Sequence, residues 1–352
     1  MDDRATSTQA TGSEAIVHGG NLDEISRLYP DAPKPWIDLS TGINPRPYPV
    51  PSLAATTWAR LPTRMDERAL LAAAAARYGV RDPTSIVAAP GTQALLQILP
   101  RLRAPGTVAV LAPTYEEHAL CWRSCGHEVR LVDKIDALAE ADVAIVVNPN
   151  NPTGLLLPGA TLHALGAVLA RRNGLLVVDE AFADFCPVQA SLASHLPPAA
   201  LVLRSFGKAY GLAGIRLGFA ISSVDMADRL HRALGPWAVS GPALAIGTAA
   251  LADDHWLEEA GARLMRDGQR LDAMLTAADS KILDSISLES VVLGGTPLFR
   301  LVERTDAAEL ADRLARHGIH VRRFPYNPAW LRFGLPSDEE SWQRLEAALT
   351  AR

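Results

Sequence analysis

The stretch Val143-Ala144-Ile145-Val146-Val147-Asn148-Pro149-Asn150-Asn151-Pro152-Thr153-Gly154 places an unbroken apolar run, mostly β-branched, directly before two Asn-Pro pairs and a glycine. Apolar residues without alternation suit a strand buried on both faces, as in a mainly parallel sheet. The Asn, Pro and Gly cluster ends it in a tight turn. Leu175–Val178 has the same character. Working outward, similar runs predict strands at 85–89, 107–112, 128–133, 142–148, 174–179, 200–205 and 215–222. Helical patterns lie between them at 92–103, 115–125 and 159–172. This alternation predicts an α/β fold, with a large domain built on a mainly parallel seven-stranded sheet between helices.

Beyond Met226 the pattern changes. Helices are expected over 224–278, then a strand pair near 285–293 and 298–303, a helix at 306–317, short strands at 319–323 and 330–333, and a last helix at 338–351. That describes a smaller α+β C-terminal domain. The expected division is a disordered tail at 1–15, an N-terminal arm at 16–50 lying over the larger domain, the large domain at 51–235 and the small one at 236–352.

The composition narrows the function. A chain of 352 residues with 48% hydrophobic and 21% charged residues is ordinary for a globular protein of about two domains. Three cysteines are too few and too scattered for a disulfide scaffold, so a reducing, cytoplasmic setting is expected. A net charge of −5 without a long basic run argues against nucleic acid. The longest apolar run, Ala69–Ala76, is far short of the roughly 20 residues of a membrane helix. The polar N-terminus lacks the apolar core of a signal peptide. His317-Gly318-Ile319-His320 has two imidazoles close together, but nothing else supports a metal, and none is expected.

In open α/β sheets ligands collect at the carboxyl ends of the strands. Pro90-Gly91-Thr92-Gln93 follows a strand and opens a helix, where free backbone N–H groups would suit a phosphate; the same glycine also suits a plain turn. Tyr115 follows the next strand and either stacks on a planar ligand or fills a core. Asn151 offers an amide. Asp179 ends a fully apolar strand, where a carboxylate must cap a helix or meet a buried cation. Ser205-Phe206-Gly207-Lys208 follows, with Arg216 eight residues on. Lys208 is one of only four lysines, and a sequestered lysine can lose its proton and act as a nucleophile. In chain order these are a phosphate cradle, a stacking ring, an amide, a carboxylate, an amine and a second phosphate group. Pyridoxal 5′-phosphate requires those parts.

At this point the chain resembles the fold-type I aminotransferase superfamily, from about His18 to the C-terminus. Asn151-Pro152-Thr153-Gly154, Asp179 and Ser205-x-x-Lys208 with Arg216 match its motifs in order and spacing. The resemblance implies that Lys208 is the imine-forming lysine and that Asp179 meets the pyridine nitrogen. It also implies that Asn151 bonds the ring O3′, that Tyr115 stacks, and that Gly91, Thr92, Gln93, Ser205 and Arg216 surround the cofactor phosphate. Arg332, in Trp330-Leu331-Arg332-Phe333-Gly334, matches the arginine that clamps the substrate carboxylate. A homodimer with shared sites is implied as well.

Within the superfamily the chain looks like the threonine-phosphate decarboxylase branch, with the histidinol-phosphate aminotransferases next to it. His18-Gly19-Gly20-Asn21 and Asp38-Leu39-Ser40-Thr41-Gly42-Ile43-Asn44-Pro45 resemble two segments of that branch, and Phe182 stands where the aminotransferases usually carry Tyr. By the same resemblance His18, Gly19, Gly42 and Asn151, with Arg322 or Arg323, would line the site for a phosphorylated amino acid. The implied reaction is loss of CO₂ from L-threonine O-3-phosphate for cobalamin synthesis. The alternatives are an aminotransferase and a non-catalytic relative. Leu61-Pro62 departs from the pattern, since many relatives carry a Tyr that reaches the cofactor phosphate across a subunit contact.

Overall fold

The computed structural model describes residues 18–280 and 291–351. The tail expected at 1–15 and the first part of the strand expected at 285–293 lie outside the described residues. The strands are β1 (Ile37–Leu39), β2 (Ile86–Ala89), β3 (Thr107–Leu111), β4 (Glu128–Val132), β5 (Val143–Val147), β6 (Leu175–Asp179), β7 (Ala200–Ser205), β8 (Gly218–Ile221), β9 (Val291–Thr296), β10 (Phe299–Glu303), β11 (Ile319–Arg323) and β12 (Trp330–Phe333).

Seven of them form one sheet in the order β2-β8-β7-β6-β5-β3-β4. It is parallel except for β8, which runs against both of its neighbours. The unbroken apolar runs are explained by two covered faces. From β5, Ala144 and Val146 enter the core shared with the helices Arg64–Tyr78, Gly159–Ala170 and Gly241–Leu251. Val143 and Ile145 enter the opposite core, with the helices Thr92–Ile98, Glu117–Ser124 and Val224–Leu234. Each fully buried Val, Leu or Ile contributes about 1.5–3 kcal/mol.

Two expected elements are shorter than their sequence patterns. The helix expected at 92–103 tightens after Ile98 into a 3₁₀ turn, Leu99–Leu102, because Pro100 lacks the N–H a further α-turn needs. The strand expected at 215–222 begins at Gly218, because Arg216 takes a left-handed φ of 53° that breaks an extended chain.

The second sheet has the order β1-β11-β12-β10-β9. Ile37, Leu39, Ile319, Val321, Leu331 and Phe333 turn one face toward Leu264, Leu271, Leu310, Leu314, Trp342 and Leu345 of the helices Asp254–Ser280, Ala307–Arg316 and Glu339–Thr350. The arm expected to lie over the larger domain supplies β1, which pairs in parallel with β11 of this sheet. Only after Gly42 does it cross to the first sheet, where Asn44 and Tyr48 bond the backbone at Lys208 and Tyr210. The core of the seven-stranded sheet also continues past the expected break at 235, through Val239, Leu244, Leu251 and Leu257. The chain passes between the two cores within the helix Asp254–Ser280. No helix among the described residues is long and apolar enough to cross a membrane.

Candidate active site

A cavity of about 260 Å³ lies between the two sheets. One wall is the carboxyl-end edge of β2, β3, β5, β6 and β7. Because β8 is antiparallel, the residues that precede it reach the same edge, which is how Arg216 arrives there.

Lys208 follows β7 in a short helical turn, Phe206–Ala209. Asn44 holds that turn from behind. Its N–H donates to the Lys208 carbonyl at 2.9 Å, and its Nδ2 donates to the Ala209 carbonyl at 2.8 Å. Burial, together with the nearby Arg332 charge, pushes the Lys208 ammonium down to about 8, against the pull of Asp179. The ring of Phe182 lies 5.6 Å from its Nζ.

Asp179 and Glu180 leave β6 in different directions. Glu180 turns into the interior, where Arg204 meets it at 3.0 Å and the Leu192 N–H donates at 2.7 Å. Asp179 faces the cavity. Its Oδ1 accepts the Ala181 N–H at 3.0 Å, and its Oδ2 lies 2.9 Å from Nε2 of His118. These two bonds fix the plane of a carboxylate that is only 5% exposed. His118 is fully buried, and its Nδ1 has no hydrogen-bond partner among the described residues. Sequence reasoning missed it. The available signal was an imidazole among the buried apolar residues of the helix that follows Tyr115.

Gly91 has a φ of +83°, and a Cβ there would stand 2.7 Å from Nη2 of Arg216. Glycine thus serves twice, tolerating the left-handed turn and leaving the space the guanidinium occupies. Thr92, Ser205 and Gly207 line the same corner. The Asn151 loop is held by a close backbone approach. Gly154 has a φ of +72°, and any Cβ on it would meet the Gly295 backbone at 2.2 Å. The end of β9 therefore clamps the turn that presents Asn151.

The opposite wall is cationic. Arg332 is 6% exposed; its Nη1 donates to Asn151 Oδ1 and its Nη2 to the Ser40 carbonyl at 2.7 Å. Burial, then the charge of Arg322, pushes it down to about 10. Arg322 stands directly across from Arg332 in the β11–β12 register. Its guanidinium lies 5.4 Å from the Phe324 ring centroid, and burial lowers it too. Of the two arginines left open by the sequence, Arg322 faces the cavity. Arg323 falls on the other face of β11 and is exposed at its end, so it does not line the cavity. Alternation along a strand explains the difference.

The two N-terminal segments meet here. The Gly20 N–H donates to Ser40 Oγ at 2.7 Å, which brings His18 and Gly19 beside Thr41 and Gly42 at the cavity. His18 Nε2 lies 3.0 Å from Oε1 of Glu117 on the first wall. Gln93 Nε2 donates to Oε2 of the same carboxylate at 2.6 Å, and the Tyr115 hydroxyl donates to Gln93 Oε1 at 3.4 Å. All the proposed site residues except Arg323 thus line one cavity. Glu117, Tyr326, Phe324 and Ser40 were not anticipated, because each reaches the site through a fold contact rather than a motif.

The chain belongs to the aminotransferase class I and II family, whose match spans residues 35–349. It is 43% identical to a threonine-phosphate decarboxylase of Pseudomonas aeruginosa, over 95% of this chain and 97% of that protein. It is 44% identical to a threonine-phosphate decarboxylase of Sinorhizobium, over 96% of this chain and 98% of that one. Among solved structures, the histidinol-phosphate aminotransferase of Sinorhizobium meliloti in complex with pyridoxal-5′-phosphate shares the fold, with a TM-score of 0.77 at 24% identity. That match covers 96% of this chain and 95% of the other.

The residues present fit pyridoxal 5′-phosphate. The Arg216 guanidinium, packed against Gly91 at the helix opening, suits the phosphate. Asp179, oriented by His118, suits a protonated ring nitrogen. The Lys208 amine, whose ammonium form is pushed down to about 8 by its surroundings, suits capture of an aldehyde.

Proposed function

We propose that the chain uses pyridoxal 5′-phosphate to convert L-threonine O-3-phosphate into (R)-1-amino-2-propanol O-2-phosphate and CO₂, a step that serves cobalamin synthesis. The observation that carries this is the pair Arg322 and Arg332 on one wall of a cavity whose other wall holds Lys208 and Asp179. Two cationic positions suit a substrate with two anionic ends, a carboxylate and a phosphate. The curated relatives at 43% and 44% identity support the same reading.

Lys208 would hold the cofactor until substrate arrives; the cofactor would supply an electron sink for the pair left at Cα, with Lys208 then a free amine. The chain does the rest. Asp179 keeps the ring nitrogen protonated, and Tyr115 covers the ring. Asn151 accepts from Arg332 through Oδ1, which leaves Nδ2 to donate to the ring oxygen. Arg332 grips the substrate carboxylate. Arg322, with His18, Gly19 and Gly42, receives the phosphate. By holding both ends, Arg332 and Arg322 would set which bond at Cα breaks, and the proposed reaction requires it to be the one to the carboxylate. CO₂ departs without the bonding pair, and the Lys208 ammonium then returns a proton to Cα. Phe182 in place of a tyrosine removes a hydroxyl from the neighbourhood of the ring.

We propose further that the protein acts as a cytoplasmic homodimer. Three free cysteines fit a reducing compartment. Trp58, Leu61, Met65 and Trp237 are large, apolar and exposed, on segments that meet where Gly241 approaches the Thr57 carbonyl. The expected division into a large cofactor-binding unit and a smaller C-terminal one is part of the proposal; the helix Asp254–Ser280, which adds Leu257 to one core and Leu264 to the other, supports a boundary there.

The deciding assay supplies purified protein with pyridoxal phosphate and L-threonine O-3-phosphate but no amino acceptor. Stoichiometric CO₂ and aminopropanol phosphate are expected. Turnover of histidinol phosphate only after 2-oxoglutarate is added would assign an aminotransferase instead. Neither reaction would leave a cofactor-binding relative without activity.

A further inference from the structure

Glu117 opens the helix Glu117–Ser124 with its carboxylate turned inward, and it is 7% exposed. A carboxylate withdrawn from water needs donors. Its Oε1 meets His18 Nε2 at 3.0 Å, and its Oε2 receives Gln93 Nε2 at 2.6 Å, with Cys121 Sγ 3.8 Å from the same oxygen. His18 is placed differently. Its side chain is 46% exposed, and its segment is tied to the second wall through the Gly20–Ser40 bond. The contact between Glu117 and His18 therefore bridges the two walls at the rim of the cavity.

A carboxylate only accepts, so the bridging Nε2 carries the hydrogen. That fixes the ring and leaves Nδ1 as its one other polar atom. The Tyr115 ring, with its centroid 6.2 Å away, backs the imidazole. We propose that Glu117 is a positioning residue that holds the His18 imidazole in place for the phosphate monoester of the substrate. This rests on the functional reading above, in which His18 and Arg322 receive that phosphate. Glu117 acts through His18 and touches neither the substrate nor the reacting atoms. Its second bond, to Gln93 and so to Tyr115, offers the competing role of steadying the cofactor side.

The two roles separate in the holoenzyme with a ligand that has a phosphate monoester and an amine but no carboxylate to lose. O-phosphoethanolamine is titrated by calorimetry into wild type, Glu117→Gln, His18→Asn and the double variant, with L-threonine as the unphosphorylated control. The KM and kcat for L-threonine O-3-phosphate are measured beside it. Glu117→Gln is expected to weaken O-phosphoethanolamine and raise KM by about tenfold, the scale of one charge-assisted hydrogen bond. The affinity for L-threonine, the cofactor content and kcat should stay within twofold. The double variant should be no worse than His18→Asn alone. Equal weakening of both ligands, a loss confined to kcat or cofactor content, or losses that multiply in the double variant would overturn the proposal. Should Glu117→Gln not fold, Glu117→Asp keeps the charge and shortens the reach; undiminished phosphate affinity there would overturn it equally. If the wild type releases no CO₂, the functional reading fails, yet the O-phosphoethanolamine titrations still decide the role of Glu117.

Discussion

The two walls of the cavity are built by different rules. The wall on the seven-stranded sheet takes its residues from successive strand ends, so Gly91, Tyr115, Asn151, Asp179 and Lys208 appear in the chain as a spaced series. The wall on the five-stranded sheet is assembled from distant pieces. Residues 18–42 join β11 and β12, some 280 positions later, through the β1–β11 pairing and the Arg332 bond to Ser40. The first wall presents a lysine, a carboxylate and a phosphate cradle, which make a cofactor reactive. The second presents two arginines and the N-terminal segment, which choose what is held against it. Variants of the cofactor-facing groups on the first wall should therefore lower kcat, and variants on the second should raise KM, as should Glu117, which acts through His18 of the second wall.

The sharpest test is Lys208→Ala. The side chain ends in the cavity and holds no part of the core, so the protein should fold. Activity should fall by ~10⁴-fold, because both nucleophile and proton donor are lost. Borohydride should fix the cofactor to wild type and not to the variant; equal retention by both would remove Lys208 from the chemistry. Next comes Asp179→Asn. It is nearly isosteric, and Asn can still accept from His118, but it cannot balance a charge on the ring. A drop in kcat on the order of 10²–10³-fold is expected with near-full cofactor content. A change confined to KM would break the division between the walls. Arg322→Ala should do what Asp179→Asn should not, raising KM for the phosphorylated substrate by about 10–100-fold while changing kcat far less.

The pH dependence of cofactor capture sharpens the first wall. Burial disfavours the charged ammonium, so Lys208 loses its proton at about 8, below its ordinary 10.5. The neutral amine is the nucleophile, so capture by the cofactor-free protein should speed up as pH rises and level off above that value. The rate of growth of the bound-cofactor absorbance at a series of pH values measures it. A midpoint near 10 would show a wet, uncrowded amine.

Legibility followed the same division. Parallel strands bring their carboxyl ends to one edge, so the first wall could be read as a list. The seven strands were legible because both faces of the sheet are covered and the runs are unbroken. β1 was not, since Ile37-Asp38-Leu39 is too short to show a period, and its partner lies far along the chain. His118 bonds Asp179 across 61 positions, and Glu117 reaches His18 from a separate element; no spacing rule announces either contact. The continuation of the first core beyond 235 was hidden because the helix Gly241–Leu251 carries small and apolar residues on most sides, which suits either core.

The smallest effect is the most specific one. Arg322 and Arg323 are chemically identical neighbours, and the sequence left both open for the phosphate. The register decides between them. Arg322 stands opposite Arg332 at the cavity, whereas Arg323 stands opposite Leu331, on the face that carries Ile319 and Val321. Arg323→Ala should therefore leave KM and kcat within about twofold of wild type, as expected for an exposed charge away from the site. Because the period of a strand is two, a slip of one residue would exchange the two arginines without disturbing anything else in the sequence argument. Equal losses in KM from both variants would mean that the second wall is charged by the whole end of β11 rather than by one face. A larger loss from Arg323→Ala than from Arg322→Ala would mean that the β11–β12 register is wrong by one, and with it the placement of Arg332.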